Sequence, residues 1–345
     1  MVSTALQRTR ALGNGRVGSL LLGLAVAIIL FLVGVRIVSG GFFFFAQILI
    51  FGAANGAIFA LIALGYTMVY GIIELINFAH GDLVTLGVFL GLVFFAPFGL
   101  VEGRSLGVTG VLLLVVVFLI AMLLTGGINV LIERVAYRPL RNSPRLAPLI
   151  TAVGMSFVLE GIMYLWRGAS QVHVPDVLPG TRLSLGPGAS IGVKDLIVIA
   201  IAVVLVVALN LFIERTRLGK AMRATAQDRD AAQLMGIDIN RTIAATFFIG
   251  AVLAGAGGMI RGLYFNTVAF QDGYQLGLFA FTAAVFGGIG NIQGAALGGL
   301  FIGMVKAFGD AYFSSAWTDV YIFAILILVL VFRPTGLLGM RVPEK

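Results

Sequence analysis

Long, nearly uncharged apolar runs recur along this chain, and they constrain its fold more than any other feature. Runs of about 20 apolar residues are long enough to cross the ~30 Å hydrocarbon core of a bilayer. The runs are continuous rather than alternating, which favours helices over the strands of a closed barrel. Composition agrees, because 60% of the residues are hydrophobic and only 11% are charged. We therefore predict an all-α fold, a polytopic transmembrane helical bundle with about 8–10 membrane segments, some of them broken or half-spans.

The chain is predicted to form one membrane domain between two short polar tails. The tails are residues 1–17 and 340–345, and the transmembrane domain is 18–339. The first span is predicted near Gly18 to Val38. The next apolar region, Phe42 to Ile73, is too long for one simple span and contains four glycines, so we expect a span followed by an irregular re-entry into the membrane. A glycine-rich hairpin is predicted at 277–289 and 293–313, and a short final span at 320–332.

Basic residues cluster at the ends of the apolar runs. They lie in the N-terminal tail, in the segment 133–145 and in the segment 214–241. Loops rich in Lys and Arg stay in the cytoplasm, so these three segments and both termini are predicted to be cytoplasmic. The glycine- and proline-rich segment 167–192 is expected outside. This distribution accounts for the net charge of +8 without a nucleic-acid partner.

Several chemistries are disfavoured by the residues that the chain lacks. It has no cysteine and two histidines, so thiolate chemistry and a Cys- or His-based metal site are not expected. No nucleophile–base constellation appears, and no catalytic residue, metal or cofactor is predicted. A phosphate-binding loop of the GxxxxGK[ST] type is also missing. If ATP drives this protein, the ATPase must be another chain.

The most charged part of the chain is the segment 214–241. Within it, DRDAAQLMGI predicts a short helix that begins at Asp228 or Thr225 and ends at Gly236. Ala231, Leu234 and Met235 give this helix a small apolar face. A helix of two turns is not stable alone, so it needs a partner surface in this chain or another. The alternative is an ordinary cytoplasmic loop with a solvated face.

A second polar group interrupts the apolar sequence between Asn77 and Asp82. Ionisable residues at membrane depth are costly, which points to function. An amino acid is a zwitterion whose carboxylate suits free amides at a broken helix and whose ammonium suits carbonyls or a carboxylate. The predicted substrate-pathway residues are Asn77, Phe78, His80, Gly81 and Asp82. The alternative is a structural bend in which Asp82 caps the following helix.

Four further charged residues lie in or near apolar segments: Glu160, Arg261, Lys306 and Asp310. Lys306 and Asp310 have the i, i+4 spacing of a helical ion pair. Pairing inside the bundle is expected for these residues in preference to substrate contact.

The sequence also resembles a known family. DAAQLMGI (230–237) resembles the cytoplasmic coupling loop, the "EAA" loop, of bacterial ABC importer permeases. Five blocks resemble the permease subunits of branched-chain amino acid ABC transporters, in the same order between about residues 45 and 339. Glu74 departs from the pattern, where a small residue is expected. The blocks are ALGYTMVYGIIELINFAHGDLVTLG (63–87), ERVAYRPLRNSPRLAPLITAVGMSFVLE (133–160), TRLGKAMRATAQD (216–228), VFGGIGNIQGAALGG (285–299) and FRPTGLLG (332–339).

The resemblance implies a permease subunit in a bacterial inner membrane, and not an enzyme. Its partners would be two cytoplasmic ATPase subunits, a second homologous or identical permease, an extracytoplasmic substrate-binding protein and membrane lipid. The residues that would contact the ATPase are Asp228, Arg229, Asp230, Ala231, Ala232, Gln233, Leu234, Met235 and Gly236.

Two other transport functions stay open on the sequence. One is an ion-coupled secondary transporter that uses Glu74, His80 and Asp82. The other is an ABC permease for urea or short amides. Neither the substrate within these classes nor the choice between a homo- and a heterodimer follows from the residues alone.

Overall fold

The computed structural model describes residues 34, 41–73, 76–103, 107–141, 143–144, 146–186, 189–333 and 335–339. The predicted first span, both tails and Glu74 lie outside the described residues. In the described part, the chain is a helical bundle with seven helices long and apolar enough to cross a membrane. This confirms the predicted fold class. The helices are α1 (Phe42–Ile73), α2 (His80–Phe95), α3 (Val108–Ile132), α4 (Leu146–Arg167), α5 (Val193–Arg215), α6 (Arg217–Gln227), α7 (Arg229–Leu234), α8 (Ile239–Phe265), α9 (Asp272–Gly287), α10 (Ile292–Tyr312) and α11 (Thr318–Phe332).

Helices α1 and α8 form the centre of the bundle. In the most apolar stretch of 18 residues, 78% of the residues are buried in α1 and 72% in α8, against 22% in each of α4 and α5. The outer helices therefore expose most of their apolar side chains, as helices in contact with lipid or a partner do. Helix α10 packs along α1, and α8 packs against α2 and α3.

The predicted break within Phe42–Ile73 is wrong, because α1 is one continuous helix of 32 residues. Its glycines are contact points for neighbouring helices. A Cβ at Gly56 would lie 2.8 Å from Cα of Leu300 in α10, and glycine permits this close approach. The irregular backbone comes after α1, at 76–79, and leads into the short helix α2.

The segment after α4 folds into short strands where the sequence predicted only a glycine- and proline-rich loop. Strand β1 (Val172–His173) pairs antiparallel with β4 (Thr267–Val268), which follows α8. Strands β2 (Arg182–Gly186) and β3 (Ala189–Gly192) form a hairpin before α5. The β1–β4 pairing fastens this segment to the end of α8. The predicted hairpin near the C-terminus is confirmed as α9 and α10.

Candidate functional site

Helix α7 lies in the charged segment between α5 and α8. The Asp228 carboxylate accepts hydrogen bonds from the backbone amides of Asp230 (2.9 Å) and Ala231 (3.0 Å), so it caps the start of the helix. The Thr225 hydroxyl donates to the Ala221 carbonyl instead. Gly236 has a φ of +81°, a left-handed conformation that commonly ends helices. Of the two predicted starts, the structure selects Asp228, and the predicted stop is confirmed.

The side chains of α7 divide between the bundle and the surface. Ala232 is 4% exposed and packs inward, whereas Leu234 and Met235 are 89% and 83% exposed. Two large apolar side chains that neighbour each other on the surface of a short helix are a typical feature of protein contact sites. Ala232 cannot contact a partner directly, since the chain itself covers it.

Helix α7 is tied to the end of α1. The Arg229 guanidinium donates a hydrogen bond of 3.1 Å to the backbone carbonyl of Ile72, in the last turn of α1. Carbonyls in the last turn of a helix lack intrahelical partners and carry partial negative charge, so a cation suits this position. A movement of α7 therefore acts directly on the end of α1.

The basic segments 133–141 and 214–241 meet at the same end of the bundle. Arg141 forms an ion pair with Glu133 and donates a hydrogen bond of 2.7 Å to Oδ1 of Asn240. Burial lowers the pKa of the Arg141 guanidinium, and the charge of Glu133 opposes this effect. A cleft of about 430 Å³ opens between these segments, lined by Tyr137, Arg141 and 225–230 among others.

Asn77 connects this cleft to the polar group that follows α1. Tyr137 lines the cleft, and its hydroxyl donates a hydrogen bond of 2.7 Å to Oδ1 of Asn77. Asn77 is 1% exposed, and its Nδ2 has no hydrogen-bond partner in the described part of the chain. The irregular segment 76–79 is thereby held to the segment that follows α3.

His80 starts α2 deep inside the bundle. Its imidazole lies against Gly65 of α1, with its ring 4.7 Å from that of Tyr66. Neither ring nitrogen has a hydrogen-bond partner among the residues that the structure describes. Gly65 in turn packs against Gly250, near the middle of α8, so α2 begins level with the middle of α8 and not at the end of the bundle.

Asp82 is fully buried in the first turn of α2. It does not cap α2, because the residue at the cap position is Ala79, which makes no side-chain hydrogen bond. The alternative prediction for Asp82 is therefore wrong. Its Oδ2 accepts from the Ser156 hydroxyl of α4, and its Oδ1 has no hydrogen-bond partner within the described ranges. Gly273, in the first turn of α9, lies beside this carboxylate.

Phe78 and Gly81 complete the predicted pathway residues. The Phe78 ring is partly buried, with its centroid 6.3 Å from that of Phe281 in α9. Gly81 packs directly on Gly277, also in α9. The structure thus places Phe78, His80, Gly81 and Asp82 against α1, α4 or α9, whereas Asn77 contacts Tyr137. It adds Tyr66, Tyr137 and Ser156, whose spacing in the sequence gave no signal of these contacts.

The other charged residues in the bundle are mostly paired. Lys306 contacts Asp310 at 2.7 Å, which confirms that predicted pair, and Arg261 contacts Asp272 at 2.8 Å. Glu160 differs, because none of the described residues forms an ion pair or hydrogen bond with it.

Known proteins were compared with the chain over its whole length. Residues 48–330 match the family described as "Branched-chain amino acid transport system / permease component". The chain is 41% identical to the high-affinity branched-chain amino acid transport system permease protein BraD of Pseudomonas aeruginosa, with 87% of this chain and 98% of BraD covered. It is also 41% identical to the corresponding protein LivH of Escherichia coli K12, with 89% and 99% covered. A more distant relative is the autoinducer 2 import system permease protein LsrC of Klebsiella pneumoniae, 28% identical over 53% of this chain and 54% of LsrC. No solved structure matches.

Proposed function

The chain belongs to the family of branched-chain amino acid transport system permease components, and from this we propose that it is the transmembrane permease subunit of an ATP-driven ABC importer. The substrates are branched-chain or related hydrophobic amino acids. The observation that carries the proposal is the 41% identity to BraD and LivH over 98–99% of those proteins. A relationship that spans the whole length of the relatives includes both the bundle and the segment 214–241.

The residues 228–236 form the contact with the ATPase subunits. Leu234 and Met235 are the exposed apolar side chains of this segment, and a groove on a partner protein would remove them from water. Asp228 and Gly236 set the ends of the helix, and Ala232 fixes it on the bundle. The permease therefore supplies no ATP chemistry. Two cytoplasmic ATPase subunits supply it, one for each permease.

Movement of the ATPases reaches the substrate pathway through the end of α1. Arg229 joins α7 to the carbonyl of Ile72, and Asn77 lies five residues further along the chain. A shift of α7 changes the position of 76–79 relative to Tyr137, which holds Asn77. This segment has irregular backbone, and such segments absorb movement that regular helices resist.

The substrate pathway runs past Asn77, Phe78, His80, Gly81 and Asp82, and a second permease closes its other side. Buried polar atoms of Asn77, His80 and Asp82 have no hydrogen-bond partner among the described residues, and they support this assignment because such atoms cost free energy unless a ligand or water satisfies them. The aromatic ring of Phe78 suits a branched aliphatic side chain. An extracytoplasmic binding protein delivers the amino acid to the membrane face opposite α7.

Reconstitution tests the proposed function. The chain is placed in proteoliposomes with its ATPases, second permease and binding protein, and uptake of radioactive leucine is measured. We expect uptake to require ATP and all components. Uptake by the permease alone, driven by a proton or sodium gradient, would contradict the proposal.

A substitution on α7 tests the ATPase contact within the same system. Leu234→Asp places a charge in the apolar contact and is expected to prevent co-purification of the ATPases and to abolish uptake. Leu234→Met keeps an apolar side chain of similar size and is expected to retain both. Because Leu234 is exposed in the free permease, neither change should lower its thermal stability. If Leu234→Asp retains uptake, the docking role of this residue is wrong.

A further inference from the structure

Glu160 has no hydrogen-bond or ion-pair partner among the described residues, and it lies on a helix that faces the outside of the bundle. Helix α4 buries Ala152, Ser156, Leu159 and Met163, and it exposes apolar residues such as Phe157 and Ile162. Glu160 lies at the edge between these two faces and is partly exposed. It is eight residues from Ala152, about two helical turns, and thus well inside the 22-residue helix.

A carboxylate at this depth is not stable when it contacts only the acyl chains of lipids. Ionisable side chains inside the bilayer are costly, and such residues face water, a bundle interior or a partner. The chain follows this rule at Lys306–Asp310 and Arg261–Asp272, which are paired. Glu160 has no such pair among the described residues, so its edge of α4 is expected to face water, a ligand or a partner chain and not acyl chains alone.

The buried carboxylate of Asp82 also favours a cation near Glu160. Ser156 precedes Glu160 by one helical turn on the same side of α4, and its hydroxyl donates to Asp82. Glu160 and Asp82 are close enough for their charges to interact directly. Oδ1 of Asp82 is buried and unpartnered in the described chain. Within the described residues the Ser156 hydroxyl donates to Asp82, no side chain donates to Glu160, and no Lys or Arg forms an ion pair with either carboxylate.

We propose that the Glu160 edge of α4 lines the translocation pathway and that Glu160 and Asp82 together bind the ammonium group of the transported amino acid. The inference rests on the proposed function and adds the binding subsite for one end of the substrate. A primary ammonium offers three N–H donors and one positive charge, which matches the free oxygens of these two carboxylates. A resident metal ion fits less well, because the described residues contain no group of three or more His, Cys, Asp or Glu side chains suited to hold one.

The subsite also has a consequence for specificity. Urea and short amides carry no positive charge, so they gain nothing from two carboxylates. They would still have to displace the water that solvates Glu160. The Glu160–Asp82 pair therefore favours amino acids over neutral solutes of similar size.

The absence of native cysteine allows a direct test of accessibility. Glu160→Cys and Ile162→Cys are prepared in the complete transporter in membranes. Each is treated with two membrane-impermeant thiol reagents of similar size, one bearing an ammonium group and one a sulfonate. We expect Glu160→Cys to react, and the ammonium reagent to react about tenfold faster because Asp82 remains in place. Ile162→Cys, on the opposite exposed face, should not react with either reagent.

A second variant measures the effect on transport. Glu160→Gln keeps the shape of the side chain and removes its charge, and we expect ATP-driven leucine uptake to fall about tenfold. Leucine binding by the isolated binding protein and co-purification of the ATPases should be unchanged. Glu160→Asp should restore part of the uptake, because the charge returns at a shorter reach.

Three results would overturn the inference while leaving the ABC permease assignment intact. One is a Glu160→Cys thiol that does not react, another is equal reaction with both reagents, and the third is full uptake by Glu160→Gln. Failure of the proposed function is distinguishable, since the wild-type transporter would then lack ATP-dependent leucine uptake altogether.

Discussion

The contact between Gly65 and His80 shows how single residues make the buried polar group possible. The imidazole occupies the place that a side chain at position 65 would need, and Gly65 also approaches the backbone of Gly250. Three helices therefore meet at one point, and only glycine leaves room for a histidine there. This packing fixes the position of the His80 ring within the bundle.

Replacement of Gly65 by alanine tests this packing. A Cβ would overlap the His80 ring and would lie 2.8 Å from the Gly250 carbonyl oxygen, so the ring and the backbone must both move. Overpacking of this kind costs about 1–3 kcal/mol. We expect Gly65→Ala to lower the thermal unfolding temperature of the detergent-solubilised permease and to reduce leucine uptake.

The matched control is Gly127→Ala in α3, because no atom of the described residues lies within 4 Å of a Cβ at that position. Alanine has the higher helix propensity, so this variant should be as stable as the wild type or slightly more stable. Equal unfolding temperatures for Gly65→Ala and wild type would show that His80 is not packed as described.

Among the elements, those specified by neighbouring residues could be predicted from the sequence. Helix α7 is an example: its start depends on an Asp228 side chain that bonds amides two and three residues away, and its end depends on Gly236. The ion pair of Lys306 and Asp310 likewise joins residues that are one helical turn apart. Local physical chemistry determines all of these features.

Features that depend on contacts distant in sequence could not be predicted. The glycines of α1 suggested a break, yet close contacts with α10 keep the helix continuous at Gly56. The alternative to a pathway role had Asp82 cap its own helix, but Asp82 instead accepts a hydrogen bond from Ser156, 74 residues away. Tyr137 and Asn77 are 60 residues apart. Helical periodicity identifies a buried face but not which neighbour covers it.

The hydrogen bond between Arg229 and Ile72 predicts how α7 and α1 are coupled. Arg229→Gln shortens the side chain and removes the charge that binds the Ile72 carbonyl. Leu234 and Met235 remain available, so the ATPases should still bind. We expect ATP hydrolysis to continue while leucine uptake per ATP falls several-fold, measured in the same proteoliposomes.

Arg241→Gln is the control for the loss of charge in this segment. Arg241 is 89% exposed and pairs only with Asp238 three residues away, so it connects no two helices of the bundle. Surface pairs of this kind contribute little, and uptake per ATP should remain close to the wild-type value. A similar loss in both variants would indicate that net charge matters, and not the contact with α1.

At the scale of the whole molecule, charge and helix connectivity together set the orientation in the membrane. The segment 182–192 and the helix α6 lie at opposite ends of α5, a 23-residue helix long enough to cross the bilayer. Connectivity thus places the two on opposite sides, whichever way the bundle is inserted. The choice of side comes from Arg215, Arg217, Lys220 and Arg223, which concentrate positive charge at the α6 end.

Cysteine labelling in whole cells tests this orientation. Leu183 is 55% exposed in β2, and Lys220 is exposed in α6, outside the proposed ATPase contact. A membrane-impermeant maleimide applied to intact cells should label Leu183→Cys and leave Lys220→Cys unlabelled, because segments rich in Lys and Arg favour the cytoplasmic side. Permeabilised cells should show both variants labelled, which establishes that Lys220→Cys is reactive. The reverse pattern in intact cells would place α7 outside, where no ATP is available, and would contradict both the orientation and the ATPase contact.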